Sequence, residues 1–183
     1  MSARIFLPLY AFLLLAVHAF SQDVIHGRVV GVTDGDTIKV LTAEKQLLRV
    51  RVAWIDAPES SQAFGQRAKQ AMSALVFGKD VELRFHTVDR YGRLVCMVFV
   101  DGSDAGLELI KEGFAWAYAK YLPEASVAIQ QSYTAAESAA RATRIGLWQD
   151  NDPQPPWEYR QAKQEQRAAL PATTPITRPV FMC

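Results

Sequence analysis

The sequence predicts an α+β domain: a five-stranded OB-type β-barrel carrying three helices. Three observations lead there. Five β-rich runs lie between residues 24 and 100, one amphipathic helical run interrupts them after the third, and two more helical stretches follow the last strand. So few strands lose their exposed edges by closing on themselves, which favours a small barrel over an open sheet.

The first strand is read at Val24–Val32, running into Thr33-Asp34-Gly35-Asp36. Asp-Gly between β-branched flanks predicts a tight hairpin with positive φ at the turn. The return strand is Thr37–Leu41, and a third strand covers Leu47–Trp54. In that third run Leu48, Val50, Val52 and Trp54 alternate with Arg49, Arg51 and Ala53, so one face is apolar and the other polar. A helix is predicted over 64–77, with Ala68, Ala71, Met72 and Leu75 as its apolar stripe and Gly78 closing it. Strands follow at Val81–His86 and Leu94–Val100. A short helix over 107–112 ends at Gly113. A longer Ala-rich helix over 124–143 places Ile129, Tyr133, Ala136 and Ala140 on one face and stops at Gly146.

Both ends differ from this centre. Residues 1–22 carry one charge, Arg4, then an apolar run interrupted only by Pro8 and His18. That layout predicts a signal peptide over residues 1–21, hence export to the periplasm or the medium; the run is short for a retained anchor, the competing reading. The folded domain is expected at 23–150. Beyond Asp150 the composition shifts to Pro, Gln and Thr, predicting an extension over 151–183 with a short helix at 157–169 and an unstructured tail. Of the two cysteines, Cys96 sits in an apolar run and reads as a small buried hydrophobe. A bridge to Cys183 would require the tail to dock on the core.

Charge excludes one class of function. The chain has 20 Lys+Arg against 19 Asp+Glu, so it does not grip nucleic acid by bulk electrostatics. Neutrality is uneven, however. Residues 23–95 hold 11 basic and nine acidic side chains, and residues 96–183 hold eight and ten. Four of the nine acids fall in two clusters at strand ends: Asp34 and Asp36 in the first hairpin, and Asp56 and Glu59 after the third strand. Each cluster alone reads as a polar turn. Brought together by a small barrel, carboxylates repel unless a cation joins them, and hard oxygen donors suit Ca²⁺ or Mg²⁺. Arg51 and Arg93 sit close by in sequence. A planar guanidinium can bind two oxygens of a phosphodiester at once, and a carboxylate such as Glu59 can deprotonate an attacking water. The residue types therefore fit a phosphodiesterase site.

Three segments together resemble the staphylococcal nuclease (thermonuclease) family: Val-Thr-Asp-Gly-Asp-Thr-Ile at 32–38, Arg-Val-Arg-Val-Ala-Trp-Ile-Asp-Ala-Pro-Glu at 49–59, and Asp-Arg-Tyr-Gly-Arg at 89–93. Glu-Gly-Phe-Ala-Trp-Ala-Tyr at 112–118 and Gly-Leu-Trp at 146–148 fit as well. The resemblance covers residues 24–150. It implies a Ca²⁺-dependent endonuclease acting on DNA and RNA with little sequence specificity and leaving 3′-phosphate ends. It assigns Asp36, Asp56 and the Ala57 carbonyl to the metal, Glu59 to the general base, and Arg51 and Arg93 to the scissile phosphate. Tyr91 and Tyr121 fall where family aromatics contact the nucleotide, with Tyr118 close by, and Asp34 falls just outside the metal ligands. A monomer with no stable protein partner is expected.

Two features depart from the family pattern. The stretch Ser60–Gly65 is short and lacks a long Lys-bearing loop, and Gly106 stands where many relatives begin the second helix with Asn. The run Pro155-Pro156-Trp157-Glu158-Tyr159-Arg160 resembles an extension of bacterial relatives without an assigned role. The competing function is a catalytically silent barrel that binds nucleic acid or protein, or an exported structural module tethered by its tail. A silent domain has no reason to keep both aspartates, Glu59 and both arginines.

Overall fold

The computed structural model describes residues 24–169. The predicted signal peptide, most of the tail and Cys183 lie outside the described residues. Among the described residues no helix is long and apolar enough to cross a membrane.

Five strands form the barrel: β1 (Val24–Val32), β2 (Thr37–Leu41), β3 (Leu47–Val52), β5 (Asp80–Val88) and β6 (Leu94–Val100). The remaining strands are two-residue pieces: β4 (Ile55–Asp56), β7 (Ser103–Asp104) and β8 (Trp116–Ala117). The main sheet runs β3-β2-β1-β5-β6-β7, and a parallel β3–β6 pairing closes it, with Val50, Arg51 and Val52 opposite Leu94, Val95 and Cys96. Closure covers the edges that an open five-stranded sheet would expose. The inner face, including Val29, Ile38, Val40, Val50, Leu83 and Val98, is buried.

The helices are α1 (Gly65–Val76), α2 (Ala105–Lys111), α3 (Val127–Ala142) and α4 (Pro156–Ala169). The first three cover the barrel. Ala68, Met72 and Val76 of α1 and Leu109 and Ile110 of α2 enter one core with the strands. The long helix predicted over 124–143 begins at Val127, because Leu122–Glu124 form a separate 3-10 turn and Ser126 caps α3 through the Ile129 N–H. Helix α2 starts two residues earlier than predicted. Asp104 caps it, accepting from Gly106 N and Leu107 N, which replaces the Asn-type start that Gly106 forgoes. The other Asp104 oxygen takes the hydroxyl of buried Tyr133 at 2.7 Å, tying α3 to the α2 cap. Burial pushes the Asp104 carboxyl above the usual carboxylate range despite these three donors. Tyr133→Phe deletes the one side-chain donor. It is expected to cost about 1.5–3 kcal/mol, read as a lower urea midpoint at unchanged slope.

Two local expectations are corrected. The β1–β2 connection is a hairpin, but Gly35 does not take positive φ. Thr33 N and Asp34 N both bond to the Thr37 carbonyl, and Asp34 Oδ1 accepts from Asp36 N, so the turn is wider than the two-residue type. Gly35 is needed instead for close approach, because a Cβ there would press on the Ala57 and Ala68 side chains. The third strand also stops at Val52 rather than Trp54. Trp54 adopts φ 58°, and its carbonyl accepts from Tyr118 N at 2.8 Å. That kink turns Ile55–Asp56 out of the barrel sheet to pair with Trp116–Ala117.

Candidate active site

Strand register delivers the first charged residues to one end of the barrel. Thr37 of β2 lies directly opposite Arg51 of β3, and Arg51 lies opposite Val95 of β6, two residues beyond Arg93. Asp36 immediately precedes β2, and the kink at Trp54 directs Asp56 back toward it. Asp36, Asp56 and Ala57 are all buried, Asp56 completely.

Arg51 bridges the two aspartates. Its Nη1 lies 3.1 Å from Asp36 Oδ2 and its Nη2 donates to Asp56 Oδ1 at 2.9 Å. Burial alone would lower the affinity of Arg51 for its proton. The carboxylates of Asp36 and Asp56 more than offset this and hold the guanidinium charged. For Asp56 burial dominates and raises the carboxyl above its ordinary value, although Arg160 and Arg51 oppose the rise. Asp34 is pushed up to about 7, first by burial and then by the Asp36 carboxylate. Three aspartates, Asp34, Asp36 and Asp56, thus gather at this end of the barrel around Arg51.

Arg93 is presented by the turn after β5. Asp89 Oδ1 accepts from the backbone N–H groups of Tyr91 and Arg93, and Gly92 supplies the positive φ of 72° that the turn requires. Asp89 Oδ2 takes Arg93 Nε at 2.7 Å, fixing the side chain so that Nη1 reaches Thr37 Oγ1 at 3.1 Å. Thr37 donates in turn to Asp36 Oδ1 at 2.9 Å.

Glu59 is held by its loop. Its N–H donates to Gln62 Oε1, its carbonyl accepts from Gln62 N, and the first residue of α1, Gly65, packs directly against that carbonyl. The Glu59 carboxylate accepts from Arg160 Nη1 at 2.9 Å. Arg160, on α4, also grips Asp56 through both oxygens, Nη1 to Oδ1 at 3.1 Å and Nη2 to Oδ2 at 2.7 Å. Burial disfavours its charge, but Asp56 and Glu59 raise its proton affinity well above the ordinary value.

One row of hydrogen bonds and ion pairs thus runs Arg93–Thr37–Asp36–Arg51–Asp56–Arg160–Glu59. Five of the six charged residues singled out in the sequence lie in it, and the sixth, Asp34, accepts from the Asp36 backbone N–H beside it. Thr37 and Arg160, which sequence reasoning missed, supply the two joints. Thr37 was available from its position beside Asp36; Arg160 ends the run 155–160 already singled out, but nothing local ties that run to the site.

The aromatic residues are placed less uniformly. Tyr91 is 61% exposed and lies beside the row, with the Arg93 guanidinium 5.5 Å from its ring centre. Tyr121 packs edge-on against Tyr118 at 5.1 Å, and Tyr118 stacks on Trp157 of α4 at 5.6 Å and 10°. Tyr121 therefore reaches the charged row only through Tyr118 and α4.

The donor set fits a hard divalent cation: two buried carboxylates, the adjoining Ala57 backbone and a local excess of negative charge. Among the described residues no three His, Cys, Asp or Glu side chains gather into a ready-made cage. Such a site must be completed by water and substrate oxygens.

Comparison with known proteins agrees with this geometry. A family model described as "Staphylococcal nuclease homologue" matches residues 49–150. A Haemophilus influenzae protein named "Uncharacterized endonuclease" is 40% identical over 154 residues, spanning 84% of this chain and 83% of that one. A Shigella flexneri protein named "Micrococcal nuclease" is 41% identical over 159 residues, spanning 82% and 87%. The barrel, the row of charges at its end and these matches place the chain in the staphylococcal nuclease family.

Proposed function

We propose that this chain is an exported, monomeric, Ca²⁺-dependent endonuclease that hydrolyses phosphodiester bonds of DNA and RNA with little sequence preference and leaves 3′-phosphate ends. Family membership supports the nuclease activity. The observation that carries the site assignment is the bridging of Asp36 and Asp56 by Arg51, with Arg93 joined to the same aspartate through Thr37.

The chain's own groups divide the work. Asp36, Asp56 and the Ala57 carbonyl would hold the cation, which when bound neutralises charge on the phosphoryl oxygens. Arg51 and Arg93 present N–H groups to the two equatorial oxygens whose charge grows in the transition state. Asp89 keeps Arg93 extended toward that point, and Thr37 keeps it within reach of the Asp36 side of the site. Glu59 takes a proton from the attacking water as its oxygen bonds to phosphorus, and the 5′ oxygen departs, leaving the phosphate on the 3′ side. Tyr91, beside Arg93, offers a ring to the nucleotide; Tyr121 has the more distant claim.

The export reading rests on residues 1–21. The metal reading has a direct test. Purified protein incubated with single-stranded DNA or RNA is expected to cleave both in Ca²⁺ and to stop on addition of EGTA. Cleavage that ignores the chelator overturns Ca²⁺ dependence; binding without cleavage in Ca²⁺ favours the silent module.

A further inference from the structure

We propose that Arg160 is a positioning residue of the nuclease site, and that α4 is a fixed wall of that site rather than an appendage. The inference deepens the function proposed above and rests on it. Three observations carry it. The first is contact: one guanidinium holds both oxygens of Asp56 and one of Glu59, joining the candidate metal ligand to the candidate base. A fork of fixed geometry spanning two carboxylates fixes their separation, which a flexible ammonium does not.

The second observation is anchorage. Helix α4 is held on both sides of the Asp56–Glu59 segment by contacts that do not involve Arg160. Trp157 stacks on Tyr118 and meets Trp116 edge-on at 6.3 Å. On the other side, Tyr159 bonds to the hydroxyl and carbonyl of Ser61, and the Gln62 side chain donates to the Gln154 carbonyl. Pro156, at the helix start, is buried. A removable strap would be held by its inhibitory contact; this helix is seated by aromatic packing and turn contacts around it.

The third observation is charge. Asp34, Asp36, Asp56 and Glu59 bring four negative charges, and Arg51 one positive. A divalent cation would leave that group one net negative charge, while Arg93 is already paired with Asp89. With Arg160 in place the loaded site is neutral and can admit a phosphodiester. Release of Arg160 on metal binding would leave the site negative at the moment when an anionic substrate must enter.

The test compares the parent protein with Arg160→Gln, Arg160→Lys and, as a control on the same helix, Lys163→Ala, whose ammonium meets Ser61 Oγ and the Tyr159 ring among the described residues. Steady-state cleavage of a single-stranded oligonucleotide, Ca²⁺ calorimetry and melting temperature are read for each. Arg160→Gln is expected to lower kcat about 10–100-fold, with a smaller rise in KM of about threefold. Its Ca²⁺ affinity should be no weaker than the parent's, because a cation beside the ligands has been removed. Arg160→Lys should recover part of kcat, and Lys163→Ala should stay within about twofold of the parent. A kcat for Arg160→Gln equal to or above the parent's overturns the proposal, the higher value identifying α4 as an inhibitory strap. Should Gln lower the melting temperature, Arg160→Lys decides: reduced kcat at an unchanged melting temperature supports the proposal, and full kcat overturns it. Parental cleavage that persists in EGTA would sink Ca²⁺ dependence alone and leave the comparison of variants intact.

Discussion

Arg51→Ala is expected to lose about a thousandfold or more in cleavage rate and about 3–5 kcal/mol in stability. Both losses have one source. The arginine lies between two buried carboxylates, 3.1 Å from one and 2.9 Å from the other. Deleting it leaves Asp36 and Asp56 to repel across a low-dielectric gap, with Arg160 compensating only Asp56 and Glu59. Arg51→Lys returns a charge without the fork. It should recover most of the stability and little of the rate, since one ammonium cannot face both aspartates and a phosphate together. Added Ca²⁺ should raise the melting temperature of Arg51→Ala more than that of the parent, because a ligand that binds only the folded state stabilises it by mass action. Thermal melts with and without the ion, paired with oligonucleotide cleavage, check all three points. A parental melting temperature and rate in Arg51→Ala would remove Arg51 from the site.

Gly65→Ala should damage the site while leaving every charge in place. A Cβ at Gly65 would overlap the Glu59 carbonyl oxygen, and backbone cannot step aside as a flexible side-chain tip can. Either α1 slides or the loop that carries Glu59 lifts away. Overpacking of this kind costs about 1–3 kcal/mol, and a displacement near 1 Å of a reacting group costs about a hundredfold in rate. Gly78→Ala provides the contrast. Gly78 has φ 74° but open space around its missing Cβ, so alanine there costs about 1 kcal/mol of backbone strain without reaching the site. Chemical denaturation and cleavage assays on the two variants should separate: both lose stability, and only Gly65→Ala loses activity beyond its unfolded fraction. Equal activity losses would mean that the Glu59 loop does not depend on this contact.

The legibility of the site follows the range of its interactions. Asp36, Asp56, Glu59, Arg51 and Arg93 were readable because each sits in a short segment that resembles one family, although each cluster alone reads as a polar turn. The Asp89 turn announces itself through Gly92 in the same way. The Trp54 kink was not readable. Tryptophan continues the alternation of the third strand, and only the bond from Tyr118 N, far along the chain, sustains its left-handed backbone. Arg160 was harder still. It stands 104 residues from Asp56, at the end of the run 155–160 whose likeness to bacterial relatives carries no role, and nothing local ties it to the site. What selects it is the seating of Trp157 and Pro156, a tertiary event. The five barrel strands were legible for the opposite reason, since each is a short β-branched or apolar run, and the third alternates cleanly.

The β3–β6 closure has a consequence for how the molecule acquires its activity. The other barrel pairings join strands by antiparallel contacts, but this seam unites Val50 with Leu94 in parallel, across the intervening β4, α1 and β5. Contacts so distant along the chain carry a high loop-closure cost and tend to form late in folding. Arg51 belongs to one lip of the seam, and Arg93 immediately precedes the other. A chain with its hairpins formed but its seam open owns every charged residue of the site and yet no place where two arginines face one phosphate. Activity is therefore expected to require this seam, since the two arginines face one phosphate only when β3 and β6 are joined.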